Sequence, residues 1–157
     1  MTNTRRNTMR IIRHVSRVLL AAFLIVAGTS HLAWLREEFT AQVPPWLPLD
    51  ADFVVLASGV VEIALGILLL VLRGRALAMH GWVVAAFFLV VVAGNISQFV
   101  TRTDAFGLNS DLARGIRLLF QPLLIAWALF STRAIGWART HLRDRRTREQ
   151  NPGSAGR

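Results

Sequence analysis

The sequence predicts an all-α protein, an integral membrane bundle of four transmembrane helices with both termini in the cytoplasm. Three observations predict it. The apolar residues, 54% of the 157, are bunched into four long runs, whereas a solvated helix face would break each run with a charge every turn. Each run reaches the roughly twenty residues needed to cross a hydrocarbon core about 30 Å thick. The arginines lie between and beyond the runs, and they favour one side. A chain of this length holds one such domain.

In chain order, residues 1–14 form a basic tail. The first span, 15–35, reads VSRVLLAAFLIVAGTSHLAWL. Its basic approach resembles a signal peptide, but the apolar stretch continues past His31 to Leu35 without a small-x-small cleavage site, so a retained helix is expected. Residues 36–52 form a loop around Val43-Pro44-Pro45-Trp46-Leu47-Pro48. Its prolines predict a stiff extended segment whose apolar side chains lie back on the bundle, either as a cap over the polar cluster or as a simple interfacial turn. The second span is 53–72 and the third 77–100, separated by a short turn. The fourth is 114–132, and 133–157 form a second basic tail. Its last residues, NPGSAGR, have a disordered composition. Trp34 and Trp46 suit the outer membrane interface, and Trp82 and Trp137 the inner one.

Orientation follows from charge. Arg5, Arg6, Arg10, Arg13 and Arg17 precede or open the first span, Arg73 and Arg75 occupy the second turn, and seven more arginines run from Arg133 onward. The first loop carries Arg36 among Glu37, Glu38, Asp50 and Asp52, and the third carries Arg102. The positive-inside rule then places both termini and the 73–76 turn in the cytoplasm. The net charge of +9 does not signal nucleic-acid binding, because the arginines flank apolar segments and are not interleaved with stacking aromatics. It fits topology determination and attraction to anionic lipids, with docking of an acidic soluble partner as the sharper alternative. Every basic residue is arginine, a mark of GC-rich coding that points to a bacterial source and an inner (plasma) membrane. The absence of cysteine excludes disulfide exchange, thiolate metal sites and iron–sulfur ligation by this chain alone.

Polar residues within the spans converge in depth. At 1.5 Å per residue, His31 lies roughly 24 Å from the inner end of its helix and Glu62 roughly 13 Å below the outer boundary. Asn95 and Gln98 fall within about 5 Å of that boundary, and Arg117 and Gln121 roughly 5 to 10 Å below it. Ser58, Glu62 and Gly66 form an i, i+4, i+8 stripe suited to close helix contact. Pro122 frees the carbonyl of Leu118 beside the cluster. A charged intramembrane side chain faces protein or water and marks function by default. Glu62 is therefore the leading candidate, with Arg117 its expected partner on sign and depth. The alternatives are a pair that only fixes helix register, or a neutral, protonated Glu62. Depth argues against a haem between His31 and His80. His14 and His80 share a depth where interfacial exposure accounts for them, and one histidine with one carboxylate makes a poor metal site.

These residues sit in stretches that resemble the DoxX-like family of small four-helix membrane proteins. The stretches are Ala27-Gly28-Thr29-Ser30-His31-Leu32, the proline segment 43–48, Ser58 to Gly66, Asn95-Ile96-Ser97-Gln98, and Leu118 to Ala128 around Gln121-Pro122. The resemblance implies a plasma-membrane bundle with His31, Glu62, Asn95, Gln98, Arg117 and Gln121 as its polar core. It also implies an association with membrane oxidoreductases, some relatives being subunits of thiosulfate–quinone oxidoreductase. The resulting expectation is an accessory subunit, not a stand-alone enzyme, that binds a quinone or similar amphiphile in the outer half. Its partners would be the lipid bilayer and a membrane or peripheral oxidoreductase subunit, with a homo-oligomer as a further expectation. Alternatives are an assembly or chaperone-like protein that recognises client helices, and a small-solute transporter, against which the lack of repeats argues.

Overall fold

The computed structural model describes residues 3–107 and 110–150, and among these every regular element is helical. The order is α1 (Asn3–Leu32), α2 (Arg36–Thr40), α3 (Ala51–Val71), α4 (Gly74–Thr101), α5 (Asp111–Ser131) and α6 (Ala134–Gln150). Four of them, α1, α3, α4 and α5, are long and apolar enough to cross a membrane. The N-terminal tail continues α1 as helix from Asn3, and the C-terminal tail forms α6 through Gln150. The expected disorder of residues 151–157 lies outside the described residues.

Local chemistry sets the helix ends. Asp50 caps α3 by accepting from the Phe53 N–H at 2.8 Å, and Ser110 caps α5 by accepting from the Ala113 N–H at 3.2 Å. The cap at Ser110 starts α5 three residues ahead of the apolar run. Extended Leu72 and left-handed Gly74 (φ +55°) make the α3–α4 turn, a conformation that costs glycine nothing. Helix α5 runs through Pro122 without interruption.

Helix α1 packs chiefly on α3, and α4 chiefly on α5; the two pairs meet through α1–α5 and α3–α4 contacts. The four long helices therefore form a ring in the order α1, α3, α4, α5, with α3 and α5 at opposite corners. Glycines set the closest approach. A Cβ on Gly59 would lie 2.8 Å from both the Gly28 carbonyl oxygen and the His31 Cβ, and one on Gly66 2.8 Å from the Ala21 carbonyl oxygen. Only a residue without a side chain permits this backbone contact between α1 and α3.

The close-packed core lies in the half of the bundle nearer the termini. Leu20, Ala21 and Leu24 of α1 meet Leu65 and Leu69 of α3, Val84, Ala85 and Phe88 of α4, and Ala128 of α5. The Trp127 indole N–H donates to the Ser16 hydroxyl at 2.7 Å, tying α5 to α1 in this half. His80 departs from the sequence expectation. It is buried, and its Nε2 donates to the Leu65 carbonyl at 3.0 Å, because the α3–α4 turn folds the start of α4 back against α3. Outward faces carry large apolar side chains such as Val90 and Leu119, about seven-tenths exposed, more than a water-facing bundle would show.

Candidate functional site: a cavity at the far end of the bundle

The half of the bundle away from the termini holds a half-open cavity of about 450 Å³, within the range of small-molecule sites. Its walls are mostly apolar, including Phe23, Val55, Phe87, Phe88 and Leu124, and its polar groups come from three helices and the first loop. Four of the six residues singled out by depth line it: His31 from α1, Glu62 from α3, and Arg117 and Gln121 from α5. Asn95 and Gln98 are buried on α4 outside the wall. Gln98 nevertheless serves it, accepting from Gln42 Nε2 at 3.1 Å and donating to the Thr103 carbonyl at 3.2 Å.

Glu62 faces His31, not Arg117. The His31 Nε2 to Glu62 Oε2 distance is 3.9 Å, and among the described residues no carboxylate pairs with Arg117. The ring order explains this correction. Depth and sign matched, but α3 and α5 stand at opposite corners, so Glu62 and Arg117 lie on facing walls. Helix α1 touches α3 directly through Gly28 and Gly59, which brings His31 beside Glu62. Arg117 instead places its guanidinium 4.6 Å from the centre of the Phe106 ring, a cation–π contact.

The hydrogen bonds favour one tautomer of the histidine. Ser58 donates its hydroxyl proton to the Val55 carbonyl at 2.9 Å and so accepts from His31 Nδ1, also at 2.9 Å. With Nδ1 protonated, the neutral ring leaves Nε2 bare. His31 Nε2, Glu62 Oε2 and Gln121 Oε1 are all buried with no hydrogen-bond partner in the protein. Three unsatisfied polar atoms in one largely apolar cavity contrast with the usual pairing of buried polar atoms. They call for partners from a bound molecule or water.

Helix α2 and the loop after it close the cavity, and the sequence did not foretell how. Phe39 packs tilted against His31, with ring centroids 3.5 Å apart and planes 57° apart, and meets Phe106 edge-on at 4.7 Å. Three further ties hold the cap: Glu38 accepts from the Phe106 N–H, Arg36 pairs with Asp52, and Gln42 reaches Gln98. Hydrogen bonding to Asp52 raises the Arg36 pKa, keeping the guanidinium charged. The proline segment caps the bundle through Val43, Pro44, Trp46 and Leu47. It does so as turns and not as an extended strand, with the Leu47 N–H donating to the Pro44 carbonyl. Arg114, at the mouth of α5, pairs with Asp104 and Asp111 at 2.8 Å. Among the described residues no cluster of three or more histidine and carboxylate side chains could hold a metal.

The family described as Domain of unknown function (DUF8561) matches residues 20–132, a stretch that includes all four apolar helices from Leu20 onward and the whole cavity wall. It covers well over half of the chain, and the chain belongs to this family. No curated protein matches the sequence, and no solved structure matches the fold.

Proposed function

We propose that this member of the DUF8561 family binds an amphiphilic small molecule of the quinone type in the far-end cavity, as an accessory subunit of a membrane oxidoreductase system. One observation carries the reading: three buried polar atoms without partners, from His31, Glu62 and Gln121, open on a largely apolar cavity. Ring hydroxyls both donate and accept and so fit this set in either protonation state of Glu62, which makes the reduced, quinol form the better match. A quinone carries electrons and protons between redox partners. The residues of this chain hold it: His31 Nε2 and Gln121 Oε1 accept from its hydroxyls, and Glu62 takes or gives a proton. Arg117 supplies a donor and a positive charge from the opposite wall.

The arginine distribution supports an orientation with both termini cytoplasmic, which puts the cavity in the outer half of a bacterial plasma membrane. The DoxX-like stretches quoted above support the oxidoreductase association, and the lack of cysteine assigns electron transfer to a partner.

The test is mass spectrometry of lipophilic compounds that co-purify with the wild type and with Glu62→Gln, matched for folded protein. A quinone enriched in the wild type and lost in the variant supports the reading. No enriched compound in either, with both folded, refutes it and directs attention to helix-recognition partners.

A further inference from the structure

A second pocket, of about 580 Å³, lies at the opposite end of the bundle, where α1 begins and α5 ends. Arg10, Arg13 and Arg17 follow an i, i+3, i+7 spacing that puts them on one face of α1, and Arg133 joins them from the α5–α6 junction. No acidic residue lines the pocket. Arg17 is only 7% exposed, and its one polar partner among the described residues is His14 Nδ1, at 3.0 Å from Nη2. The Nε atoms of both Arg13 and Arg17 are buried with no hydrogen-bond partner. Buried arginines are normally paired. Here one buried arginine (Arg17), one half-buried (Arg13) and two exposed (Arg10 and Arg133) face one space without a carboxylate.

The surroundings sharpen the chemistry. Ser131 and Thr132 give their hydroxyl protons to the Ala128 carbonyl, leaving the guanidinium groups as the pocket's main donors. Arg13 is held over the Phe130 ring at 5.4 Å. Arg133 has a left-handed backbone, φ 60°, a conformation unfavourable for a residue with a Cβ. Leu77, in the first turn of α4, also lines the pocket, so the positive end of that helix dipole adjoins it. Guanidinium forks match the oxygens of phosphate in geometry and charge, and Ile11 and Leu77 give the pocket an apolar edge.

We infer that this pocket binds a phosphate group, presented by an anionic lipid headgroup or free in solution. The site is separate from the cavity and does not rest on its ligand. The test uses the full-length protein in a zwitterionic detergent. Native mass spectrometry measures retention of phosphatidylglycerol against phosphatidylcholine, and thermal unfolding is followed with and without inorganic phosphate. The variant Arg10→Gln/Arg133→Gln changes two exposed residues of the pocket. The control, Arg139→Gln/Arg143→Gln, removes the same charge from α6.

For a lipid source, phosphatidylglycerol is retained over phosphatidylcholine, and the pocket variant weakens retention about tenfold while the control does not. For a free source, inorganic phosphate raises the unfolding temperature of the wild type and the control but not of the pocket variant. The inference is overturned if neither probe binds, or if the control loses binding as fully as the pocket variant, which would reduce the effect to diffuse charge attraction.

Discussion

Replacing Gly59 with alanine tests whether backbone contact between α1 and α3 builds the cavity wall. The added Cβ would sit 2.8 Å from the Gly28 carbonyl oxygen and from the His31 Cβ. That is a shortfall of about 0.6 Å from the 3.4 Å at which ordinary contact begins, and neither atom is the end of a flexible side chain. Overpacking of this kind costs about 1–3 kcal/mol. Alanine returns about 0.5–1 kcal/mol of helix propensity, so the net loss should lie between about 0 and 2.5 kcal/mol, centred near about 1 kcal/mol. Gly136→Ala is the matched control, because no atom lies within 4 Å of its added Cβ. It should keep only the propensity term and stabilise α6. Denaturant unfolding in detergent, followed by far-ultraviolet circular dichroism, reads both signs. Because the clash falls on His31, Gly59→Ala should also lower retention of the cavity ligand while Gly136→Ala leaves it unchanged. Stability of Gly59→Ala above wild type would refute the close-contact argument.

Gly81→Ala would drive its Cβ into Thr132; it should destabilise by about 1–3 kcal/mol. Thr132→Gly in the same chain should recover part of that loss, a coupling measurable by a double-mutant cycle. Gln98→Leu leaves Gln42 and the Thr103 carbonyl without their shared partner; it should cost about 1–3 kcal/mol and speed amide hydrogen exchange across residues 36–47. Arg36→Gln breaks a pair whose two side chains are 41% and 48% exposed, and it should leave the unfolding midpoint unchanged, since exposed ion pairs contribute little.

The apolar runs made the four long helices legible, because a span needs only length and the absence of charge. Depth was legible for the same reason: rise per residue turns position in a run into height. It brought His31, Glu62, Arg117 and Gln121 to one level, and the structure opens them on one cavity. Azimuth was not legible. Height alone cannot say which helices are neighbours, so Arg117 looked like a partner for Glu62 although α5 stands across the ring from α3. Gly28, Gly59 and Gly66 held the missing information, since small residues on two helices mark where their backbones touch. Helix α2 escaped notice because its five residues, Arg36 to Thr40, are too few for a periodic signal, and its position depends on tertiary ties to Asp52 and Phe106. The arginine pocket near the termini was masked by a sufficient explanation: the same residues already served to predict topology.

The opposite-corner placement of α3 and α5 makes the cavity the medium between an acid and a base. Coulomb interaction across a fixed gap scales inversely with the permittivity of what fills it, so exchanging water for a hydrocarbon-like occupant strengthens it several-fold. Whatever enters between Glu62 and Arg117 therefore acts as an insulator between two capacitor plates, setting how strongly one wall senses the charge on the other. Occupancy would then tune the attraction between the two walls without either helix having to move.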